Sequence, residues 1–241
     1  MSDLLSTAES LPWIDIKTIA GSALIVAPHP DDETLGCGGA IALLRQLDIP
    51  VAVSIVSDGT QSHPNSKTYP FQALKSLRER ESLAALAILG VDSNAVTFWE
   101  LSDSRVNLDS TSDTIASVRG YLSSLAPSTI FLPWRYDPHS DHRASWQLFT
   151  AACDRLTYTP RTIEYPIWDW DTRQRGNFTN AVKAWRLDIS SVLKLKQRAI
   201  AQYRSQISDL IDDDPEGFQL KPEMIQNFLQ PWEIYLEIDR E

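Results

Sequence analysis

Two short polar tracts carry most of the residues in this chain that could do chemistry. The first, Ala27-Pro28-His29-Pro30-Asp31-Asp32-Glu33-Thr34, sets an imidazole three residues from a pair of adjacent carboxylates. The second, His139-Ser140-Asp141-His142-Arg143, adds two imidazoles and a carboxylate. The chain holds four histidines, His29, His63, His139 and His142, and three of them fall in these tracts. A hydrolytic zinc ion takes three protein ligands and keeps one position for water. His29, Asp32 and His142 form the best triad, because Pro30 stiffens the turn from which His29 and Asp32 converge. Asp31 is then left beside the metal, free to act as general base on the activated water. His139 has Asp141 near it. A carboxylate beside an imidazole favours the charged form and orients the ring. His139 can then stabilise an oxyanion or protonate a leaving nitrogen. Metal-assisted amide hydrolysis fits these parts. His63 sits in a polar loop and is expected to be solvated.

Each tract alone has a plainer reading as a helix cap or a solvated helix start. The elements that must position the tracts favour convergence. Ala23–Val26 reads as a buried strand before the first tract, and Thr129–Leu132 as one before the second. Between them, Gly36–Leu47 is expected to be helical, Val51–Val56 a strand, Phe71–Leu89 a helix ended by Gly90, Ala95–Trp99 a strand and Asp113–Leu125 a helix. His142–Leu156 continues as a helix. This alternation predicts an α/β fold: a Rossmann-like, doubly wound, mostly parallel sheet with helices on both faces. In the strand order 3-2-1-4, strands one and four adjoin where the winding reverses, and ligands bind in the crevice at that point. Both tracts follow those strands. The Gly36-Cys37-Gly38-Gly39 run suggests a dinucleotide loop, but Ile41 stands where G-x-G-x-x-G needs its last glycine.

The last third is less regular. Thr162–Ile167 and Val182–Ile189 are candidate strands, Ser191–Ile207 a helix, Asp212-Asp213-Asp214-Pro215 a turn, and Glu233–Ile238 a terminal edge strand. No linker is evident. The expected organisation is one domain over 1–241, with 20–160 as the α/β core and 161–241 as a substrate-covering extension.

A length of 241 residues with 43% hydrophobic content supports a sizeable core. The formal charge of −10 argues against nucleic acid, which needs basic surface, and against docking on an anionic membrane. No stretch approaches the length of a spanning helix, so membrane insertion is not expected. Cys37 and Cys153 are far apart in sequence, which fits a reducing, cytoplasmic setting, and Cys37 is expected to pack rather than bind metal.

The tracts resemble those of the PIG-L/LmbE-like N-acetylglucosaminyl deacetylase family. Its hallmarks are an A-H-P-D-D-E tract after the first strand and a later H-x-D-H. The spacing of Arg78 and Glu81 before Leu89-Gly90-Val91, the position of Asp103, and Lys196, Ala199, Ser205 and Gln206 extend the likeness over residues 20 to 206. Pro28 stands where the tract has alanine, and Ser140 where proline is common. Asp137 stands where mycothiol-pathway relatives have a tyrosine, with Tyr136 next to it. The resemblance implies a Rossmann-like fold and zinc-dependent removal of acetyl from an N-acetylglucosamine conjugate, a small-molecule partner. It implies His29, Asp32 and His142 as ligands, Asp31 as base, and His139 as electrostatic catalyst oriented by Asp141. It associates Arg78 and Asp103 with sugar hydroxyls, while Glu81 reads as a surface charge. Arg143 is either a substrate-anion ligand or a brace for its loop.

Two rival readings share some of these parts: a metal-dependent amidase on another acylated amine, and a noncatalytic metal or sugar-binding module. Iron(II) is the alternative to zinc. The aromatic residues Tyr165, Trp168, Trp170 and Phe178 are either a stacking surface for sugar or lipid, or core and homo-oligomer interface.

Overall fold

The computed structural model describes residues 8–19, 21–168 and 182–238. The strands are β1 (Trp13–Ile14), β2 (Ala23–Ala27), β3 (Val51–Ser57), β4 (Val96–Leu101), β5 (Thr129–Pro133), β6 (Arg161–Tyr165), β7 (Val182–Asp188) and β8 (Trp232–Ile238). The helices are α1 (Asp32–Gln46), α2 (Phe71–Ile88), α3 (Val106–Asp109), α4 (Ser112–Leu125), α5 (Ser140–Cys153), α6 (Leu193–Ile200), α7 (Arg204–Ile207) and α8 (Pro222–Phe228).

The strands join in one sheet of order β1-β7-β8-β6-β5-β2-β3-β4. β2 pairs in parallel with β3 on one side and β5 on the other, so the winding reverses at the β2–β5 seam. β8 alone among the described strands runs antiparallel to its neighbours.

Successive side chains of a strand face opposite ways, and here both faces are buried. Ile25, Val53, Ile55 and Phe131 join the core beneath α1, α2 and α6. Leu24, Val26, Ile130 and Leu132 join the core beneath α4 and α5. This explains why the central strands read as predominantly apolar runs rather than alternating ones.

Three expectations need correction. β8 is not an edge strand; it lies between β7 and β6. Its alternation came from Glu233, which is buried rather than facing water. Glu233 accepts from Lys196 Nζ at 2.7 Å, from the amides of Gly39 and Ala40 at 2.6 and 2.8 Å, and from Tyr235 Oη at 2.8 Å. The helix expected over 191–207 is two pieces, α6 and α7, with Tyr203 at the break. Helix α1 begins at Asp32, four residues earlier than its apolar period suggested, so Asp32 and Glu33 lie in its first turn.

The glycine run of α1 is a packing device. A Cβ on Gly36 would come within 2.3 Å of Tyr165, and one on Gly39 within 2.4 Å of Ile189. Among the described residues no helix is long and apolar enough to cross a membrane.

Candidate metal centre

The site lies at the carboxyl ends of β2, β4 and β5. His29 leaves β2 through the Pro28–Pro30 turn, Asp103 follows β4, and Asp137 to His142 follow β5. His29 is the hub. Its Nδ1 lies 3.2 Å from Asp32 Oδ2, and its Nε2 lies 3.4 Å from both Asp103 Oδ1 and Asp141 Oδ2. Asp32 Oδ2 is also 3.2 Å from His142 Nε2. The expected triad therefore meets at one carboxylate oxygen. The sets among the described residues whose ligand atoms all lie within 4.8 Å of one another are different ones, His29–His139–His142 and His29–Asp103–Asp141; Asp32 is in neither.

The electrostatics call for a cation. Burial opposes charge on His29, but Asp103, Asp141 and Asp32 outweigh it and push its pKa well above the usual value. Burial is likewise outweighed at His142, where Asp137 and Asp32 raise the pKa to about 9. At Asp32, burial alone would favour the neutral acid, yet His142 and His29 hold it far below the ordinary carboxylate range. Buried carboxylates around buried imidazoles need compensating positive charge, from protons or from a metal. Asp141 Oδ1 is buried without a hydrogen-bond partner among the described residues, and the two ring nitrogens of His142 meet Asp32 and Asp137 as ion-pair contacts rather than as well-aligned hydrogen bonds. This mixed nitrogen and oxygen donor set fits a divalent cation.

Asp137 supports the centre from behind. Its Oδ2 lies 3.4 Å from His142 Nδ1 and accepts from the amide of Trp168 at 3.0 Å, and its Oδ1 accepts from the amide of His139 at 2.9 Å. A carboxylate behind a metal-binding imidazole fixes its tautomer and raises its basicity. The residue that departs from the tyrosine of mycothiol-pathway relatives thus has a place of its own. Tyr136 meets Trp134 edge to face, with ring centroids 5.3 Å apart, and is not among the residues lining the cavity.

Asp31 is held in a conformation rare outside glycine, φ 145° and ψ −30°, just before α1. Such backbone persists only where its surroundings over-determine it. Here the Asp31 amide donates to Glu33 Oε2 at 3.0 Å. Arg78 Nη2 donates to Asp31 Oδ2 at 3.2 Å and to Pro30 O at 2.8 Å, and Arg78 Nη1 donates to Gly59 O at 2.7 Å. Burial raises the Asp31 pKa to about 8 against the pull of Arg78.

His139 caps α5: its Nδ1 accepts the amide of Asp141 at 3.2 Å. The nitrogen that accepts carries no proton, so Nε2–H is the donor in the neutral ring. Two expectations change. The Asp141 carboxylate faces His29 and the Ser104 amide, the latter at 2.6 Å, so Asp141 orients His139 through its backbone. His139 is also not held as a cation; burial, with His29 and His142 nearby, lowers its pKa to about 4.

The other named residues divide. Arg78 and Asp103 line the cavity, with Asp103 Oδ2 accepting from the Gln61 amide at 2.9 Å. Arg143 braces its loop, donating from Nη1 to the carbonyls of Asp137 and Pro138, both at 2.6 Å, and is not among the lining residues. Glu81 is not a surface charge. It is buried and accepts from Ser205 N at 2.8 Å and Ser205 Oγ at 2.5 Å. His63 is buried, not solvated, with Nδ1 3.2 Å from Ser62 Oγ. Asp213 and Asp214 fasten the neighbouring loop by accepting from the amides of Lys67, Thr68 and Asn65. Tyr165 is core, donating to Val26 O at 2.6 Å, whereas Trp168 lines the cavity. Trp170 and Phe178 lie outside the described residues.

Sequence reasoning gave no role to Glu33 or Tyr203. Glu33 is fully buried, accepts from Tyr203 Oη, and has its pKa raised by burial to about 7. Its position in the first tract was the available signal. Nothing local marked Tyr203, which lies about 170 residues away.

At 27% identity over 220 residues, the chain aligns with the probable N-acetyl-alpha-D-glucosaminyl L-malate deacetylase 2 of Bacillus subtilis, covering 88% of this chain and 95% of that one. At 27% identity it aligns with the diacetylchitobiose deacetylase of Thermococcus kodakarensis, covering 82% and 73%. The zinc-inhibited form of teicoplanin deacetylase Orf2 shares the fold, with a TM-score of 0.67, 17% identity and coverage of 91% and 98%. So does GalB, a 4-carboxy-2-hydroxymuconate hydratase from Pseudomonas putida, with a TM-score of 0.65, 21% identity and coverage of 87% and 83%. The fold therefore carries more than one reaction, and a fold alone does not assign one. The model of one family, described as GlcNAc-PI de-N-acetylase, matches residues 24–153, the span that holds both polar tracts and the strands that deliver them. This chain is a member of that family, PIG-L.

Proposed function

We propose that this chain is a zinc-dependent hydrolase that removes the N-acetyl group from an N-acetylglucosamine conjugate. The observation that carries the reading is the meeting of His29, Asp32 and His142 at Asp32 Oδ2, beside an aspartate held in rare backbone geometry at the cavity wall. The names of the Bacillus and Thermococcus relatives support the reaction class.

His29, Asp32 and His142 would hold the metal, with Asp137 setting the tautomer of His142. When bound, zinc supplies Lewis acidity and lowers the pKa of water in the site. Asp31 accepts a proton from the water that attacks the acetamide carbon. It returns the proton to nitrogen as the C–N bond breaks, so acetate and a free amine leave. His139 Nε2–H donates to the oxygen that gains charge in the tetrahedral intermediate. Arg78 fixes the Pro30–Asp31 turn, and Asp103 accepts from a sugar hydroxyl. We read the chain as one domain in which 161–241 covers the substrate bound on the 20–160 core. The cavity-lining residues Trp168, Gln206 and Phe218 support that division. A cytoplasmic setting suits two buried free thiols, Cys37 and Cys153.

The test couples metal analysis to acetate release from a panel of N-acetylglucosamine conjugates and unrelated amides. One zinc per chain and acetate from the amino sugars is the expected result, with activity lost on chelation and restored by zinc. Asp31→Asn should keep the metal and lose at least about a hundredfold in kcat. Full activity of that variant, or turnover confined to other amides, would overturn the assignment.

A further inference from the structure

The cavity above the polar cluster encloses about 800 Å³, within the range of small-molecule sites. Its floor is polar, and its far wall is not. Ile167, Trp168, Phe218, Leu220, Met224 and Phe228 line it, and Trp168 and Phe218 meet edge to face with ring centroids 5.7 Å apart. A wall of this kind is more than an acetamido sugar needs to be held by its hydroxyls.

The charge around the cavity is equally selective. Arg78 is the only lysine or arginine among the described lining residues. Its guanidinium is already engaged by the carbonyls of Gly59 and Pro30 and by Asp31. Asp31, Asp32 and Asp103 also face the cavity. A carboxylate or phosphate on the substrate would meet like charge, and among the described lining residues no lysine or arginine is free to pair with it.

Resting on the deacetylase reading, we infer that the substrate is an amino sugar with an uncharged, apolar aglycone, and that the Trp168–Phe218–Met224–Phe228 wall is the aglycone subsite. This separates the chain from the Bacillus relative, whose name specifies a malate conjugate. Malate is a dicarboxylate, and the described wall offers nothing to pair with it.

The experiment uses the metal-loaded full chain with methyl, hexyl and octyl glycosides of N-acetylglucosamine and with the malate glycoside. Acetate release gives kcat/KM, and calorimetry gives binding. From methyl to octyl, kcat/KM should rise at least about tenfold through a lower KM, since each buried methylene favours binding severalfold. The malate conjugate should fall below the methyl glycoside. Met224→Ala should compress the octyl-to-methyl ratio, and Phe218→Leu, a milder change, should do so less. Turnover that is flat across the alkyl series, or a preference for malate, would overturn the aglycone subsite and leave the deacetylase reading intact. Chain-length-dependent binding with no acetate from any conjugate would support the subsite and sink the deacetylase reading. Equal binding of methyl and octyl glycosides would overturn the subsite whatever the turnover.

Discussion

Glu33 holds Asp31 by its backbone: the Asp31 amide donates to Glu33 Oε2 at 3.0 Å, and the other carboxylate oxygen accepts from Tyr203 Oη. Tyr203 also contacts Thr34 Oγ1 at 2.9 Å. A residue from the break between α6 and α7 thus fastens the turn that presents the proposed base. Tyr203→Phe removes that hydroxyl and leaves a buried carboxylate oxygen short of a donor. The expected outcome is a kcat lowered by about tenfold with KM and metal content unchanged. An equal loss of metal would place Tyr203 in general folding rather than in positioning Asp31.

Gly39 tests whether packing or helix propensity governs α1. In an open helix, alanine would stabilise by about 1 kcal/mol over glycine. Here the new Cβ would lie 2.4 Å from Ile189 Cγ2 and 2.7 Å from Ile189 Cβ. Overpacking typically costs about 1–3 kcal/mol, so the clash should win. Gly39→Ala should lower the urea midpoint, and Gly39→Ala with Ile189→Ala should recover part of the loss. A stabilised single variant would show that α1 can shift away from Ile189.

Lys196 and Glu233 form a buried ion pair at 2.7 Å, both nearly inaccessible to water. Removing one partner strands the other charge. Lys196→Met should destabilise by about 3–5 kcal/mol. Lys196→Met with Glu233→Gln should be markedly less damaging, because no buried charge remains and the amide oxygen can still accept from Gly39 or Ala40. Denaturant titration of the single and double variants checks this. Equal losses in both would mean that the carboxylate matters through its backbone contacts alone.

His63 links stability to pH. Burial lowers its pKa against the pull of Asp214, while Arg78 lowers it further. The folded state therefore binds this proton less readily than the unfolded state. The stability it contributes is fully present above about pH 6.5, the unfolded value, and is lost as pH falls below that toward the folded value. His63→Gln should lose less stability than the parent between pH 7.5 and pH 5.5, read as the change in urea midpoint. A difference between the two proteins that does not vary with pH would remove His63 from this role.

Much of this protein is legible along the chain because the information is local. Predominantly apolar runs marked β2, β3 and β5 as strands of a sheet covered on both faces, and the His-Pro-Asp-Asp and His-Ser-Asp-His tracts follow two of them. Alternating strand and helix then brought residues more than a hundred positions apart to one crevice, and the observed order of β4, β3, β2 and β5 is the one that alternation predicts. What the tertiary structure decided are matters of partnership. Glu233 reads as a solvent-facing residue until Lys196 and two amides of α1 close around it. Glu81 reads as surface until Ser205 caps it, and Glu33 has no evident task until Tyr203 reaches it. A polar side chain shows its type in the sequence but not whether it faces water. That depends on donors supplied from distant parts of the chain, because burying a polar group is tolerable only where such donors satisfy it.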